Sequence, residues 1–339
     1  MKIKISLLSV IIIAVLLFAG CNRGTKQSHG VIAAETQVPE SAEELEEAQK
    51  DTIVEIPLEK KKNVFVLGSD GEDYNFLWKN GELIQTSVMK IGFSSVFASG
   101  NDVFVAGSAF AMEGGAYLWK NGEFQVLEQE NNTGTRAASV FVSGNDVYVA
   151  GWKSEYSEER ANLPQYAVLW KNGKAQTLGN GIANFVCVLN NDVYVLGADN
   201  DTIILWKNGT AQNLGKGRPA RLYISGNDVY AVGWVNNDII LWKNGVAENK
   251  GRERGTSVFI YGSDVYEAGM IADNAVIWKN GEHQLLGEGY ALSIYVSGGD
   301  VYAAGQFNKG EYYGATLWKN GVVQEGYDGY SAHFVMVSD

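Results

Sequence analysis

Histidine and cysteine are scarce in this chain. Three histidines and two cysteines occur among 339 residues. His29, His283 and His333 stand far apart, and no His–Cys cluster offers a zinc ligand set. Cys21 falls in a leader segment, so Cys187 has no intramolecular partner and a disulfide framework is excluded. No Gly-x-Ser-x-Gly elbow and no Walker-type loop occurs. Adjacent acids such as Glu158 and Glu159 diverge in a loop. No catalytic residue, metal site or cofactor is therefore expected, although carboxylates that converge only in three dimensions leave glycosidase chemistry open. Basic charge is also in deficit. Lys and Arg number 27 against 39 Asp and Glu, a net charge of −12, of which residues 63–339 carry −11. Such acidity disfavours nucleic acid and anionic membrane faces as partners.

What the chain has in abundance is repetition. Leu-Trp-Lys-Asn-Gly occurs six times, and a seventh copy carries Ile for Leu. Its tryptophans are Trp78, Trp119, Trp170, Trp206, Trp242, Trp278 and Trp318, spaced by 36 to 51 residues. A period of that size marks a repeat architecture. A second phrase alternates with the first, fullest as Ser-Gly-Asn-Asp-Val-Tyr-Val-Ala-Gly at Ser143–Gly151. Together they predict units of four short strands. Strand a precedes Ser-Gly-Asn-Asp, strand b is Asp-Val-Tyr-Val-Ala, strand c carries Leu-Trp-Lys, and strand d follows Asn-Gly. Asn-Gly between apolar residues signals a two-residue hairpin, because both central positions of a type I′ turn need positive φ.

The ends of the array are out of phase. The first copy begins at strand b, Asn63–Gly68, and the last ends in a lone strand a, His333–Ser338. A ring needs such complementary ends, whereas an open solenoid caps each one. The expectation is an all-β, seven-bladed β-propeller over 63–339, closed by pairing of the N-terminal strands with a C-terminal strand. A transmembrane barrel would need strands of about 9–11 residues with a lipid-facing apolar band. The strands here are shorter, and each strand c ends in Lys.

Residues 1–21 read as a signal peptide. Lys2 and Lys4 precede a mostly apolar run, Leu7–Phe18, and then Phe18-Ala19-Gly20-Cys21. That tetrad resembles the lipobox of bacterial lipoproteins, with Phe18 where an aliphatic residue is usual. The resemblance implies diacylation of Cys21, which becomes the new N-terminus. Residues 22–62 form an acidic, flexible tether, with nine acids against four lysines in 35–62.

Candidate binding residues lie where the repeats differ. The seven repeat tryptophans share one register and read as packing between blades. Cys187, within a strand a, reads as a small buried hydrophobe. The Asn-Asp pairs, such as Asn145-Asp146, read as turn formers and not as calcium ligands, because each offers a single carboxylate. By contrast, the b–c loops and d–a connections vary, and they share one face. Trp152 and Trp234 follow the strand-b Gly and are expected to enter a loop on that face. Tyr156 lies in the longest b–c loop, and Tyr312 and Tyr313 lie in another. The residue ten before the strand-b Asp is Arg136, Arg218 and Arg254 in three units, and it is expected to ring the mouth of the central channel. Arginines there suit carboxylate, sulfate or phosphate; the alternative is pairing with a neighbouring Glu or exposure to solvent.

The paired phrases resemble uncharacterised bacterial lipoproteins with Trp-Lys-Asn-Gly β-propeller repeats, over 63–339. That resemblance implies a fold and no activity. The WD40, kelch and sialidase Asp-box patterns fit worse. The expected function is a membrane-anchored, extracytoplasmic scaffold of the cell envelope, periplasmic or surface-exposed and monomeric, that binds a protein or glycan. A carbohydrate-active enzyme (glycosidase or lyase) using the variable face, or an envelope protein assembly factor, stands as the alternative. Cys21→Ala is expected to release the chain from the membrane fraction. Unchanged fractionation, with no labelled palmitate in the wild type, would overturn the lipoprotein reading.

Overall fold

A computed structural model describes residues 62–87, 91–109, 114–128, 133–155, 164–252, 254–310 and 312–338. The signal peptide, lipidation site and nearly all of the tether expected from the sequence lie outside these residues. Lys62–Asp339 forms one compact unit, and among the described residues every regular element is a β-strand.

The arrangement is that of a β-propeller, built of antiparallel meanders. The first sheet runs, from the inside outward, Ser331–Ser338, Asn63–Ser69, Asn75–Lys79 and Glu82–Thr86. It contains both ends of the array, because Asn63 to Ser69 pair with Ser338 to Ser331. Four further four-stranded sheets begin at the inner strands Ile91–Ser99, Thr133–Ser143, Ile182–Leu189 and Arg218–Ser225. The remaining strands, Ser257–Tyr261 to Val322–Gln324, form a single seven-stranded sheet. Five four-stranded blades thus stand as separate sheets where seven were expected. The reason is one strand of 16 residues, Glu282–Ser297. Its first half pairs with Asn274–Lys279 and its second half with Asp300–Asn308, so one continuous strand serves two ladders.

The two sequence phrases meet at one end of every sheet but the first, where Asn63 stands in place of the aspartate and accepts from Asn80. In the third sheet the Asn172 amide donates to Asp146 Oδ1 at 2.7 Å, and Lys171 Nζ lies 2.7 Å from Asp146 Oδ2. The Asn172 Oδ1 accepts from Val147 N at 2.8 Å, and Lys171 also sits over the Tyr148 ring. This clasp recurs at Asp102, Asp192, Asp228, Asp264 and Asp300 with the Lys-Asn of the same sheet. The strand-b aspartates therefore bind across the hairpin rather than within their own turn, as the sequence reading had them. The turn asparagines take positive φ, 50° at Asn172 with 78° at Gly173, so both turn positions adopt the expected left-handed conformation.

Packing follows from the same register. All seven repeat tryptophans are buried. Trp170 packs with Phe104, Ala106 and Leu118 of the preceding sheet, and Trp206 with Tyr148 and Leu169. Trp78 of the first sheet packs with Tyr302 and Leu317, near the other end of the chain. Serines seven residues before the strand-b Asp pin one inner strand to the next. Ser95, Ser139, Ser257 and Ser293 accept from Val140, Val186, Ile294 and Val335 backbone N–H groups. A β-bulge in the inner strands of Ser95, Ser139 and Ser293 drives a carbonyl at the strand-b glycine. A Cβ on Gly151 would collide with the Arg136 carbonyl oxygen and the Trp170 ring, so the closing glycine of the second phrase is a steric requirement.

Two outcomes are expected. Removing Ser331–Asp339 strips the first sheet of its inner strand and bares the edge of Asn63–Ser69, which favours association with other chains. Size-exclusion chromatography should show oligomers; a monomer with wild-type melting temperature would contradict this role. The second outcome concerns acid. Hydrogen bonds from Lys and Asn hold the six clasp carboxyls below their ordinary value of 3.8. The unfolded chain then takes up protons first as pH falls. The clasp contribution is present above about pH 4 and is lost as pH drops through the lowered values. Melting temperature should hold from neutrality to about pH 5 and fall below 4; a flat profile to pH 2 would show that the clasps contribute nothing.

Candidate ligand-binding face

The two faces of the propeller differ in chemistry. The clasp face repeats the same Asp, Lys and Asn in sheet after sheet, and Tyr261 is the one exposed large hydrophobic residue in its a–b turns among the described residues. The opposite face carries the b–c loops and d–a connections. Tyr74, Met270, Tyr290, Leu292, Tyr312 and Tyr330 are all exposed there, with Tyr312 at 62%. The blades share a scaffold and differ in these residues.

Two arginines on this face are held by tryptophans. Arg136 pairs across the ladder with Trp152, and Arg218 with Trp234. The guanidinium carbon lies 5.7 Å from the Trp152 ring centre and 4.2 Å from that of Trp234. The geometry follows from register, since ten residues before the strand-b Asp faces six residues after it. Stacking on an aromatic face contributes roughly 0.5–1 kcal/mol at exposed sites and fixes the planar fork. Both arginines are exposed. The fourth sheet, between them, has the smaller Ile182 and Ala198 at the same pair of positions.

Other expected positions fall differently. Trp152 and Trp234 lie within strands Asp146–Glu155 and Asp228–Val235, not in loops. Trp234 is 8% exposed, and its indole Nε1 has no hydrogen-bond partner. Arg254 does not ring the channel mouth. Its side chain turns toward the hairpin turn at Gly281, donates to the Arg252 carbonyl, and lies 3.8 Å from Glu267. The cause is local: the inner strand here begins only at Ser257, so the segment carrying Arg254 has left the ladder. Tyr313 donates to Glu288 Oε1 at 2.9 Å and meets Tyr290 with ring centres 6.4 Å apart, while Tyr312 points outward. Tyr156 lies outside the described residues.

Arg221 was not anticipated. It occupies the position where four other inner strands have the pinning serine. From the fifth sheet it passes over the rings of Phe259 and Tyr295 and donates to the Ile294 carbonyl at 2.9 Å. Burial lowers its pKa to about 10. The aligned column Ser95, Ser139, Ser257, Ser293 against Arg221 was the signal available in the sequence. Cys187 is buried, and desolvation pushes its thiol up to about 12, which leaves little thiolate for chemistry. His333, also buried, has its pKa lowered by desolvation, and its Nε2 lies 3.0 Å from the Phe93 carbonyl oxygen. Among the described residues no group of three or more His, Cys, Asp or Glu is placed to hold a metal ion.

No protein-family model matches this chain, and no curated protein matches it. Solved structures do resemble it. The computationally designed Ika8 protein is 17% identical, over 81% of this chain and 88% of that one, with a TM-score of 0.47. A chain of a nidogen/laminin complex is 7% identical over 82% and 99%, at 0.44. A Trypanosoma rangeli sialidase in complex with sialic acid is 11% identical over 83% and 58%, at 0.43. Likeness at this level carries neither fold nor activity across to this chain.

Proposed function

We propose that this protein is an exported, lipid-anchored, seven-bladed β-propeller whose variable face binds an anionic component of the cell envelope, glycan or protein. The seven-stranded sheet then counts as two blades that share the strand Glu282–Ser297. Contacts between successive inner strands run round all the sheets, and those of the last part of the chain return to Ser331–Ser338, which in turn touches Ile91–Ser99. Closure of the ring accounts for that circuit and for Trp78 packing on Tyr302 and Leu317.

The observation that carries the binding reading is the pair of Arg–Trp stacks beside exposed tyrosines, on the one face where blades differ. A stacked guanidinium suits a carboxylate, sulfate or phosphate, and aromatic rings beside it suit the flat side of a sugar or an apolar side chain. An acidic ring needs such local basic positions to take an anion at all.

Pull-down of envelope proteins and of acidic glycans with the full chain should yield a partner. Alanine at Arg136, Trp152, Arg218, Tyr312 or Tyr313 is expected to weaken its binding, by about 2 kcal/mol at a true hot spot, with melting temperature unchanged. Trp234→Ala should impair both binding and stability, since that side chain is buried. Trp206→Ala should destabilise by about 3–5 kcal/mol as a core deletion. Sensitivity at the clasp face, with these five positions silent, would place binding on the wrong side of the propeller.

A further inference from the structure

One seam between neighbouring sheets departs from the packing rule of the rest. Three residues after the strand-b Asp, or after Asn63 in the first sheet, and opposite the repeat Trp, the chain has Val66, Val105, Val149, Val195, Ala231 and Ala303. In the one remaining copy this residue is Glu267, opposite Trp278 and 2% exposed. The outer strand that meets this seam changes with it. Leu127, Leu178, Leu214 and Leu286 occupy one register of strand d, and Lys250 replaces them in the strand Val246–Arg252. At the corresponding places Leu127 packs with Val149 and Trp170, and Leu286 with Ala303 and Trp318. Two apolar residues in contact have therefore become one cation and one anion at the same seam.

These charges do not neutralise each other directly. Lys250 Nζ binds Glu248 at 2.6 Å, with a side chain only 15% exposed. Glu267 Oε2 accepts from the backbone N–H groups of Arg254 at 2.7 Å and Gly255 at 3.1 Å. Glu267 Oε1 has the Arg254 guanidinium at 3.8 Å, beyond hydrogen-bond reach. Between them is a cavity of about 170 Å³, lined by Lys250, Arg254, Glu267, Ile239 and the turn residues Asn280 and Gly281. Burying a carboxylate in place of valine costs several kcal/mol unless its oxygens find partners. Two backbone N–H groups satisfy one oxygen, and the other faces the cavity without a donor.

We propose that this cavity is a binding site for a small zwitterion of the α-amino acid class, its ammonium on Glu267 Oε1 and its carboxylate on Lys250 and Arg254. The volume sets the size. It is below the roughly 300–1,000 Å³ of sites for drug-sized ligands and holds about five waters. The charge pattern sets the chemistry, because one anion and two cations line a common space; Lys250 already holds the exposed Glu248, so a ligand carboxylate shares or displaces that partner while the ligand ammonium takes the open Glu267 oxygen. The site is independent of the variable face, and Lys250 and Glu267 take no part in the binding proposed there.

The test is thermal melting of the full-length protein with glycine, alanine, serine and aspartate, using N-acetylglycine and glycinamide as controls. A ligand that binds the folded state alone raises the melting temperature in a saturable manner. At least one free amino acid should do so, while its N-acylated and amidated counterparts, each lacking one charge, bind at least tenfold more weakly. Glu267→Gln keeps an oxygen for the two backbone N–H groups and should abolish the response. Lys250→Met restores an apolar residue at the register of the leucines, is expected to fold, and should weaken the response at least tenfold. Absence of any shift, equal binding of N-acetylglycine or glycinamide, or an undiminished response in either variant would overturn the proposal.

Discussion

The structure depends on a small polar constraint: an aspartate at the start of strand b gripped by the Lys-Asn that ends strand c. The contacts are exposed, and each contributes little free energy by itself. Their importance is register. A slip of one residue in an antiparallel pair sends every side chain to the opposite side of the sheet. By tying Asp146 to Lys171 and Asn172, the clasp places Trp170 opposite Val149 and directs the indole at the neighbouring sheet. The apolar core between sheets is a downstream result of that alignment. This is why the two phrases occur together: one supplies the anion and the other its two partners.

The repeat was legible because the chain states it almost verbatim. Asn-Gly turns, strand length and the buried tryptophans all follow from local chemistry that a single unit contains. What was not legible required two units at once. No feature within Glu282–Ser297 announces that it belongs to two ladders, since Gly287 and Gly289 resemble the glycines that end strands elsewhere. The arginines behaved likewise. Their common register is visible in the sequence, but Arg136 and Arg218 find a tryptophan across the ladder while Arg254 finds a glycine-flanked turn in a segment outside it. Position in the repeat predicts where a side chain starts; the neighbour decides where it goes.

Uniform blades also make exceptions informative. A seam filled by Val and Leu needs nothing further, and natural selection of stability alone would keep it. Replacement by Glu267 and Lys250 gives up packing for polarity in a place hidden from bulk solvent. Arg221 is a milder case, for it exchanges a serine link to the next strand for a longer reach to the Ile294 carbonyl. Both departures lie in the later half of the array, where the sheets also fuse.

The pairing of Asn63 with Ser338 has a consequence for how the chain is threaded. The two ends of the strand array occupy facing positions of one ladder, so the covalent break in the array falls inside a sheet and not between sheets. In strand order the array reads as a loop cut at one point. Joining those ends and reopening the backbone at any clasp-face turn describes the same set of strands, ladders and seams, with the order of writing changed and the object unaltered.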